Sequence, residues 1–423
     1  MKKILIISPH FPPSNLAAVH RARLFAMHLP SFGWQPTILT VHEKYYEEEL
    51  DANLVELLPE GLNVEKVKAY PVTRPRVIGD IGLRGFFQLY RRAKQIIRRD
   101  KIDFLYILIP SFYSALLGRW LHKTTGVRYG IDYIDPWVHA FPGSDKVFSR
   151  HWFSTKVAQW LEPVAVKKAS LITGVAEGYY KGVQERNPQL IRNSLFGAMP
   201  YGGEKSDHEK LKTMNVKPYL FEKKDNTIQL VYAGAMLPKA YEPLEAILQA
   251  VQHNPTVFDK LEIHFIGTGK RPNDPESHNI KPLAEKYGLW EKTIFEYPKR
   301  IPYLDVLVHL NTATGIFILG STEPHYTPSK VFQGILSGKP LLAVLHKDST
   351  ALRVINETGA GVCYALDPGK MEDMLQGFVN TYKLFIGQLA TFNPANVKMQ
   401  AFEEYSAASV TRSLANLLNR IYA

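Results

Sequence analysis

Residues 315–345 read GIFILGSTEPHYTPSKVFQGILSGKPLLAVL, which contains a strand, a loop, a short helix and a second strand in succession. The apolar ends, residues 315–320 and 341–345, have the composition of buried strands. Pro328 suits the first helical position because its missing N–H costs nothing there, and Gly338 can adopt the left-handed conformation that ends helices. The stretch therefore predicts one strand–helix–strand unit of a parallel α/β sheet.

The first turn of this helix is a candidate anion site. Thr327 is a good N-cap, and it places Ser329 and Lys330 in the first turn, where backbone N–H groups lack partners and the helix dipole is positive. A lysine there opposes the dipole's preference for acidic side chains, so a bound phosphate or other anion would explain Lys330. The alternative is a tolerated surface lysine. We favour the anion site.

The same alternation of apolar runs and helical periodicity extends along the chain, which predicts an α/β fold with two Rossmann-like, parallel-sheet domains. We expect an N-terminal domain at residues 1–205, a linker at 206–226, a second domain at 227–395 and closing helices at 396–423. The predicted strands lie at 3–7, 37–41, 64–69, 104–109, 128–134 and 171–173, and at 228–233, 261–266, 293–296, 315–319, 341–345 and 361–364.

Further candidates follow predicted strands, where ligands of parallel sheets bind. Gly234 and Lys239 lie in a small-residue turn that is either a phosphate contact or an ordinary turn with a surface lysine. Arg300 lies between a strand and a helix, and it either reaches the same anion or is a surface residue. Asp132 and Asp135 end a buried strand, where each is a general base, a hydroxyl-binding group or a structural acceptor.

The motif content excludes several classes of function. No dinucleotide fingerprint, Walker-type loop, GxSxG or HExxH pattern and no Cys/His metal spacing occurs in the sequence, so we expect no cofactor and no metal. The single cysteine excludes an internal disulfide and suits a cytoplasmic location. The apolar run at residues 4–7 is too short for a signal peptide.

The positive charge is concentrated in the first half of the chain. Residues 1–200 carry 27 Lys and Arg against 17 Asp and Glu, a net of +10, which leaves 24 against 23 for the remainder, a net of +1. Nine of the basic residues lie in the segment Arg74–Lys101. This segment is either a core helix with a solvated basic face or a patch for an anionic membrane surface, and we favour the membrane. No nucleic-acid motif accompanies the charge, so nucleic acid is disfavoured.

These residues resemble the GT-B-fold glycosyltransferases of the family 4 type (glycosyl transferases group 1), which act in bacterial polysaccharide and glycolipid synthesis. The similarity covers nearly the whole chain. It is carried by the opening ILIISPHFPP (residues 4–13) with Arg21 and Gly33, by residues 132–137, 199–203 and 232–234, and by 329–333 with 338–340.

The resemblance implies two Rossmann-like domains that face each other across a cleft, with the last helix returning to the first domain. It implies a hexosyltransferase-type enzyme that moves a sugar from a nucleotide-diphosphate sugar to an acceptor hydroxyl with retention of configuration. The acceptor would be a glycan or a lipid-linked sugar. The location would be the cytoplasm or, peripherally, the inner face of the membrane.

The resemblance also suggests roles at matching positions. Gly234, Lys239, Ser329 and Lys330 would contact the diphosphate. Gln333 occupies the place of a glutamate that holds the ribose hydroxyls.

Family members often carry two glutamates eight positions apart, and the corresponding residues here are His325 and Gln333, with Glu323 close by. These three are the candidates for ribose or sugar binding. Because His325 and Gln333 supply no carboxylate, a catalytically silent nucleotide-binding homologue with an assembly role is the alternative.

On the acceptor side, the resemblance points to His10, Ser14 and Arg21. Asp132 or Asp135 stands where some members have a catalytic-site histidine. We therefore expect one of these aspartates to act as the base.

Overall fold

The computed structural model describes residues 1–73, 78–109, 111–138, 146–324 and 328–423. It contains two compact units. The first unit is Met1–Tyr201 with Ala407–Ala423, and the second unit is Gly202–Ser406. Each unit is built on its own parallel sheet, which confirms the predicted class of two Rossmann-like domains.

Within the described residues, the first unit has a seven-stranded sheet. Its strands are β1 (Lys2–Ile7), β2 (Trp34–Val41), β3 (Asn63–Val67), β4 (Phe104–Ile109), β5 (Arg128–Tyr133), β6 (Leu171–Gly174) and β7 (Leu195–Ala198). The order across the sheet is β3-β2-β1-β4-β5-β6-β7, and every pair is parallel. The helices are α1 (Ala17–His28), α2 (Ile81–Arg84), α3 (Phe86–Asp100), α4 (Ala115–Thr125), α5 (Arg150–Val166), α6 (Gly178–Arg186) and α7 (Leu190–Asn193).

The second unit has a six-stranded parallel sheet in its described part. Its strands are β8 (Ile228–Ala233), β9 (Leu261–Ile266), β10 (Ile294–Tyr297), β11 (Gly315–Leu319), β12 (Leu341–His346) and β13 (Gly361–Leu366), in the order β10-β9-β8-β11-β12-β13. Its helices are α8 (Lys205–Thr213), α9 (Tyr241–His253), α10 (Lys281–Lys286), α11 (Tyr303–Thr312), α12 (Lys330–Leu336), α13 (Thr350–Thr358), α14 (Met374–Leu389) and α15 (Met399–Phe402). The last helix, α16 (Ala407–Ile421), belongs to the first unit.

Strand β4 shows why the central strands are continuous apolar runs. Leu105 and Ile107 enter the core on one face of the first sheet, and Phe104 and Tyr106 enter the core on the other face. Because helices cover both faces, side chains that alternate in direction are all buried. The second of these cores also contains Leu414 of α16, which packs beside α1.

The strand–helix–strand prediction at residues 315–345 is confirmed, with one difference at the start of the helix. Strand β11 has the predicted bounds, and Gly338 has a φ of 68°, as expected of a left-handed helix end. Helix α12 begins at Lys330 rather than Pro328, because Val331 N–H and Phe332 N–H bond to carbonyls three residues earlier. The predicted cap, Thr327, lies outside the described residues.

Candidate functional site

Lys330 lies at the carboxyl edge of the second sheet, beside Gly234, the residue that follows β8. Gly234 has a φ of 111°, and a Cβ atom at this position would lie 3.6 Å from Lys330 Nζ. The same Nζ lies 3.5 Å from the centroid of the Tyr232 ring. Lys330 therefore reaches back from the start of α12 to the end of β8, and the positive φ of Gly234 is what favours glycine at this contact.

The ammonium group of Lys330 is buried and donates no hydrogen bond within the part of the chain that the structure describes. Burial lowers the pKa of Lys330 to about 7. A buried cation without a hydrogen-bond acceptor is costly, and the ring of Tyr232 supplies only a cation–π contact. The geometry is suited to an anion that brings its own oxygens to this edge.

The backbone of the same turn contributes less than the sequence suggests. Val331 N–H donates to the Pro328 carbonyl at 3.1 Å, and Phe332 N–H donates to the Ser329 carbonyl at 3.2 Å. These two groups are already paired, so the side chain of Lys330 is the main feature of the anion site.

Lys239 and Glu323 come from loops that follow the neighbouring strands β8 and β11. Lys239 Nζ lies 3.1 Å from Glu323 Oε1, and both side chains are accessible to solvent. The structure therefore pairs a predicted diphosphate ligand with a predicted sugar ligand. An exposed ion pair of this kind is weak, so either side chain can exchange its partner at low cost.

Gln333 is engaged within the second unit. Its Oε1 lies 2.9 Å from Nε2 of His208 on α8, and burial lowers the pKa of His208. Helix α8 lies in the segment that the sequence marks as the end of the first domain and a linker, and Asp207 on the same helix accepts a hydrogen bond from the Tyr303 hydroxyl at 2.9 Å. The predicted partner position His325 lies outside the described residues.

Arg300 follows β10 and is two strands away from β8. Its N–H donates to the Pro272 carbonyl at 2.7 Å, and a Cβ atom at Gly267 would lie 3.7 Å from the Arg300 Cα. With a strand spacing of about 5 Å, the backbone of Arg300 lies roughly 10 Å along the edge from that of Gly234. Arg300 could therefore contact an anion beside Gly234 only if its side chain were extended toward β8.

In the first unit, His10 and Ser14 follow β1 and converge on one carboxylate. His10 Nδ1 lies 2.8 Å from Glu48 Oε1, and the Ser14 hydroxyl donates to the same oxygen. Burial opposes ionisation of Glu48, but the hydrogen bonds from His10 and Ser14 outweigh it and lower its pKa to about 2. The Tyr46 hydroxyl accepts a bond from Phe11 N–H at 3.1 Å and holds the loop in place.

Arg21 and Asp132 form a buried ion pair inside the first unit. The guanidinium donates two hydrogen bonds to the carboxylate, and it also donates to the Met199 carbonyl at 2.8 Å and the Pro200 carbonyl at 3.0 Å. The Thr173 hydroxyl donates to the same carboxylate at 2.6 Å. Both side chains are almost fully buried. Their geometry supports a structural role, which argues against Asp132 as a base and Arg21 as an acceptor ligand.

Asp135 differs from Asp132 because it is exposed. It follows β5, which is separated from β1 only by β4, so Asp135 and His10 lie on the same edge of the sheet. Of the two aspartates, Asp135 is the one that a solvent-borne substrate can reach.

The basic segment Arg74–Lys101 is partly neutralised by its own unit. Arg84 is buried and donates to two backbone carbonyls, and Arg92 and Arg99 pair with Glu65 at 2.6 and 3.1 Å. Residues 74–77 lie outside the described ranges. Arg91 and Arg98 are exposed on α3.

Several contacts were missed at the sequence level. Tyr232, His208 and Glu48 touch the candidate residues Lys330, Gln333 and His10, respectively. Tyr232 could have been found, since it lies two residues before Gly234 on a strand. Glu48 belongs to the run Glu47–Glu49, which has the appearance of a solvated surface segment.

Two further features concern the described ranges. No group of three or more His, Cys, Asp and Glu side chains in them is arranged to hold a metal ion. None of their helices is long and apolar enough to cross a membrane.

The chain matches no protein-family profile and no curated protein sequence. It is similar in structure to Anabaena HepE in complex with UDP-glucose, with a TM-score of 0.61, 14% identity, and 99% of this chain and 100% of that chain covered. It is also similar to the sucrose-phosphate synthase of Thermosynechococcus elongatus, with a TM-score of 0.62, 12% identity, and 100% of this chain and 99% of that chain covered. A third similar structure is a Rickettsia africae glycosyltransferase, with a TM-score of 0.58, 14% identity, and 100% of this chain and 98% of that chain covered.

These similarities extend over the full length of each protein and show that the chain has the GT-B fold of two Rossmann-like units. At this level of identity they define the fold alone. The chemistry has to be inferred from the side chains at the two sheet edges.

Proposed function

We propose that this protein is a glycosyltransferase that moves a sugar from a nucleoside-diphosphate donor to an acceptor hydroxyl. The observation that supports this most strongly is the ammonium of Lys330, buried beside Gly234 without a hydrogen-bond acceptor in the described structure. A diphosphate oxygen would provide that acceptor. HepE, which shares the fold, has been captured with UDP-glucose, so the fold accommodates a donor of this class.

In the proposed reaction, the bond between the anomeric carbon and the diphosphate oxygen breaks, and the acceptor oxygen bonds to that carbon. The electron pair of the broken bond moves to the diphosphate, where negative charge grows. Lys330 would stabilise this charge in a buried site, where electrostatic stabilisation is stronger than in water. We assign supporting contacts with the diphosphate to Lys239, Arg300 and the Ser329 hydroxyl. Together with Lys330, these side chains would stabilise the negative charge of the leaving diphosphate.

We propose that donor binding exchanges the partner of Lys239. In the structure this ammonium pairs with Glu323 at 3.1 Å. A diphosphate would draw Lys239 away, and the released carboxylate could accept hydrogen bonds from sugar hydroxyls. Gln333, which already contacts His208, is proposed to accept or donate a hydrogen bond to the ribose through its remaining amide positions.

We assign acceptor binding to the His10 loop of the first unit. With Nδ1 engaged by Glu48, Nε2 of the His10 ring is left for a second hydrogen bond, which suits it to orient a hydroxyl. We propose retention of configuration, in which a departing diphosphate oxygen takes the hydroxyl proton. Inversion would instead require a side-chain base, and His10 and Asp135 are the candidates.

The wider setting is proposed with the resemblance as support. We propose a hexose as the transferred sugar, a glycan or lipid-linked acceptor, and a role in bacterial polysaccharide or glycolipid synthesis. The location would be the cytoplasm or the inner face of the membrane.

The first test is a thermal-shift panel of UDP, GDP, ADP, CMP and their sugar conjugates on the wild-type chain. We expect one nucleoside diphosphate and its sugar conjugates to raise the melting temperature. The same panel on Lys330→Met should show no shift, while Lys383→Met, which removes an exposed lysine elsewhere in the second unit, should behave as wild type.

The second test is transfer of a radiolabelled sugar from the selected donor to lipid and glycan extracts. Transfer that is lost in Lys330→Met supports the enzyme. Tight donor binding without transfer to any acceptor would favour the silent homologue instead. The anomeric configuration of the product decides between retention and inversion.

A further inference from the structure

Helix α5 presents large apolar side chains to solvent. Phe153, Val157, Trp160 and Val164 follow one another at spacings of four, three and four residues, which places them within about 60° of arc on one face of the helix. All four are exposed, and Trp160 is 74% exposed. We call these four residues the α5 stripe.

The opposite face of α5 is the buried one, where Val166 and the partly buried Leu161 pack against the core. Ala158 and Ala165 pack against the core, and the fully buried Glu162 accepts a hydrogen bond from Arg186 at 2.8 Å. A helix of a globular protein normally buries its large apolar residues and exposes its polar ones. Packing within the first unit therefore does not account for the α5 stripe.

Phe148 extends this surface just before the helix begins. Its φ is 65°, which is uncommon for a bulky side chain, and the residue is 77% exposed. Its ring centroid lies 5.7 Å from that of Trp152 and 6.3 Å from that of Phe153. Because this backbone conformation is unfavourable and leaves an aromatic ring in solvent, we infer that the ring has a role in binding.

The neighbouring helices continue the pattern. Helix α4 packs against α5 on one side and α3 on the other. Trp120 on α4 and Phe87 on α3 are both exposed. Three adjacent helices of the first unit thus carry large rings on their outer faces.

The charge around the α5 stripe is positive. Residues 146–168 contain five Lys and Arg residues and a single acidic residue, Glu162, which is buried and paired. Lys156 lies about 60° around the helix from Phe153 and is exposed. Exposed aromatic rings flanked by basic side chains are a combination that suits contact with the surface of an anionic bilayer.

We propose that the α5 stripe, together with Phe148, is a membrane-contact surface that inserts its side chains among the headgroups of an anionic bilayer. The positive charge of the segment favours an anionic bilayer over a neutral bilayer or a basic protein face, and the exposed aromatic rings favour insertion among headgroups. The proposal rests on the α5 stripe and Phe148 and not on the basic side chains of the segment Arg74–Lys101, where Arg92 and Arg99 are engaged with Glu65. The proposal does not depend on the proposed sugar transfer.

The test is flotation of the wild-type chain with vesicles of phosphatidylcholine alone and with phosphatidylglycerol added. The variants are Phe153→Ser/Trp160→Ser for the stripe, Lys156→Glu for the rim, and Leu384→Ser as a control. Leu384 lies on α14 of the second unit and is 66% exposed, so it matches the stripe in exposure. Circular dichroism and melting curves confirm that each variant is folded.

We expect wild type to bind the anionic vesicles, and the double variant to bind them about tenfold or more weakly, because two large apolar side chains no longer insert. Lys156→Glu should also bind more weakly, and Leu384→Ser should bind as wild type. Equal binding of the wild type and the double variant would overturn the proposal. Sedimentation without vesicles provides a second check, because a wild-type dimer that the double variant abolishes would show that a second copy covers the stripe instead.

Discussion

Arg21 and Lys330 are both buried cations near the carboxyl edge of a parallel sheet, but their surroundings differ. Arg21 donates to Asp132 and to two backbone carbonyls. Burial opposes the charged form of Arg21, yet Asp132 keeps its pKa above the usual value. Lys330 has the Tyr232 ring beside it and no hydrogen bond that the described ranges supply, and burial lowers its pKa to about 7.

The difference distinguishes a structural charge from a ligand-binding one. A buried ion whose partners belong to the same unit holds that unit together, and removing one partner leaves an uncompensated charge. A buried ion without such partners costs stability, which is typical of a site that a ligand completes. On this basis, we interpret Arg21 as a structural charge of the first unit and Lys330 as a ligand-binding charge of the second unit.

The largest effect on stability is expected for Arg21→Met. This change leaves the Asp132 carboxylate buried without its cation, and we expect a loss of about 3–5 kcal/mol in the free energy of unfolding of the first unit. Urea denaturation followed by tryptophan fluorescence measures it, since five of the six tryptophans lie in that unit. The double variant Arg21→Met/Asp132→Leu should recover much of the loss, and an unchanged midpoint in Arg21→Met would remove the structural role.

The opposite result is expected for Lys330→Met. Without ligand, this variant should be at least as stable as wild type, because an unpaired buried ammonium is replaced by an apolar chain of similar length. Sugar transfer should fall about 10²- to 10³-fold in kcat, or roughly 2.7–4 kcal/mol. Lys383→Met provides the matched control. If the Lys330→Met variant were less stable than wild type but still active, Lys330 would be a structural charge like Arg21 and not a ligand-binding one.

Donor affinity should depend on pH between 7 and 9. A bound diphosphate would raise the pKa of Lys330 above its free value of about 7, so the protonated form is the one that binds. Above pH 7 the free protein must therefore take up a proton, and the affinity should fall by up to about tenfold per pH unit. Phosphate groups with a second pKa near 6 are already ionised in this range. Titrations at several pH values measure the slope, and a flat profile in wild type would contradict the prediction.

The smallest effects are expected at Lys239 and Glu323. Because both side chains are accessible, their ion pair contributes at most about 1 kcal/mol to stability. Lys239→Ala should weaken diphosphate binding by up to about fivefold. Glu323→Gln should tighten binding of the bare diphosphate slightly, since Lys239 is released, and weaken binding of the sugar conjugate. Equal effects of Glu323→Gln on both ligands would exclude a sugar contact.

Most of the fold could be predicted from the sequence because its central strands are apolar on both faces. Strands β4, β8, β9 and β11 have the predicted bounds. Strand β7 was missed because it is four residues long and only partly buried. The sequence predicts a linker where helix α8 lies, because this helix is dominated by charged and polar residues and its partners, including Gln333, are distant in the sequence.

The candidate site was predictable only where a residue departs from a local rule. Lys330 stands out because a lysine is unfavourable at the start of a helix, whereas its burial against Tyr232 depends on packing that no local pattern reveals. The prediction that Asp132 could act as a base failed to anticipate its ion pair, which also depends on packing between distant parts of the sequence. Its partner Arg21 is 111 residues away, so a strand-end carboxylate that the fold has paired resembles one that a reaction would use.

The most direct test of the account is calorimetric titration of the selected nucleoside diphosphate at pH 8, in two buffers with different ionisation enthalpies. We predict that wild type takes up close to one proton on binding, because Lys330 is mostly neutral before the diphosphate arrives and charged afterwards. Lys330→Met should take up none and bind far more weakly. Binding of equal strength in both proteins, or binding without proton uptake in wild type, would contradict the claim that Lys330 awaits the diphosphate.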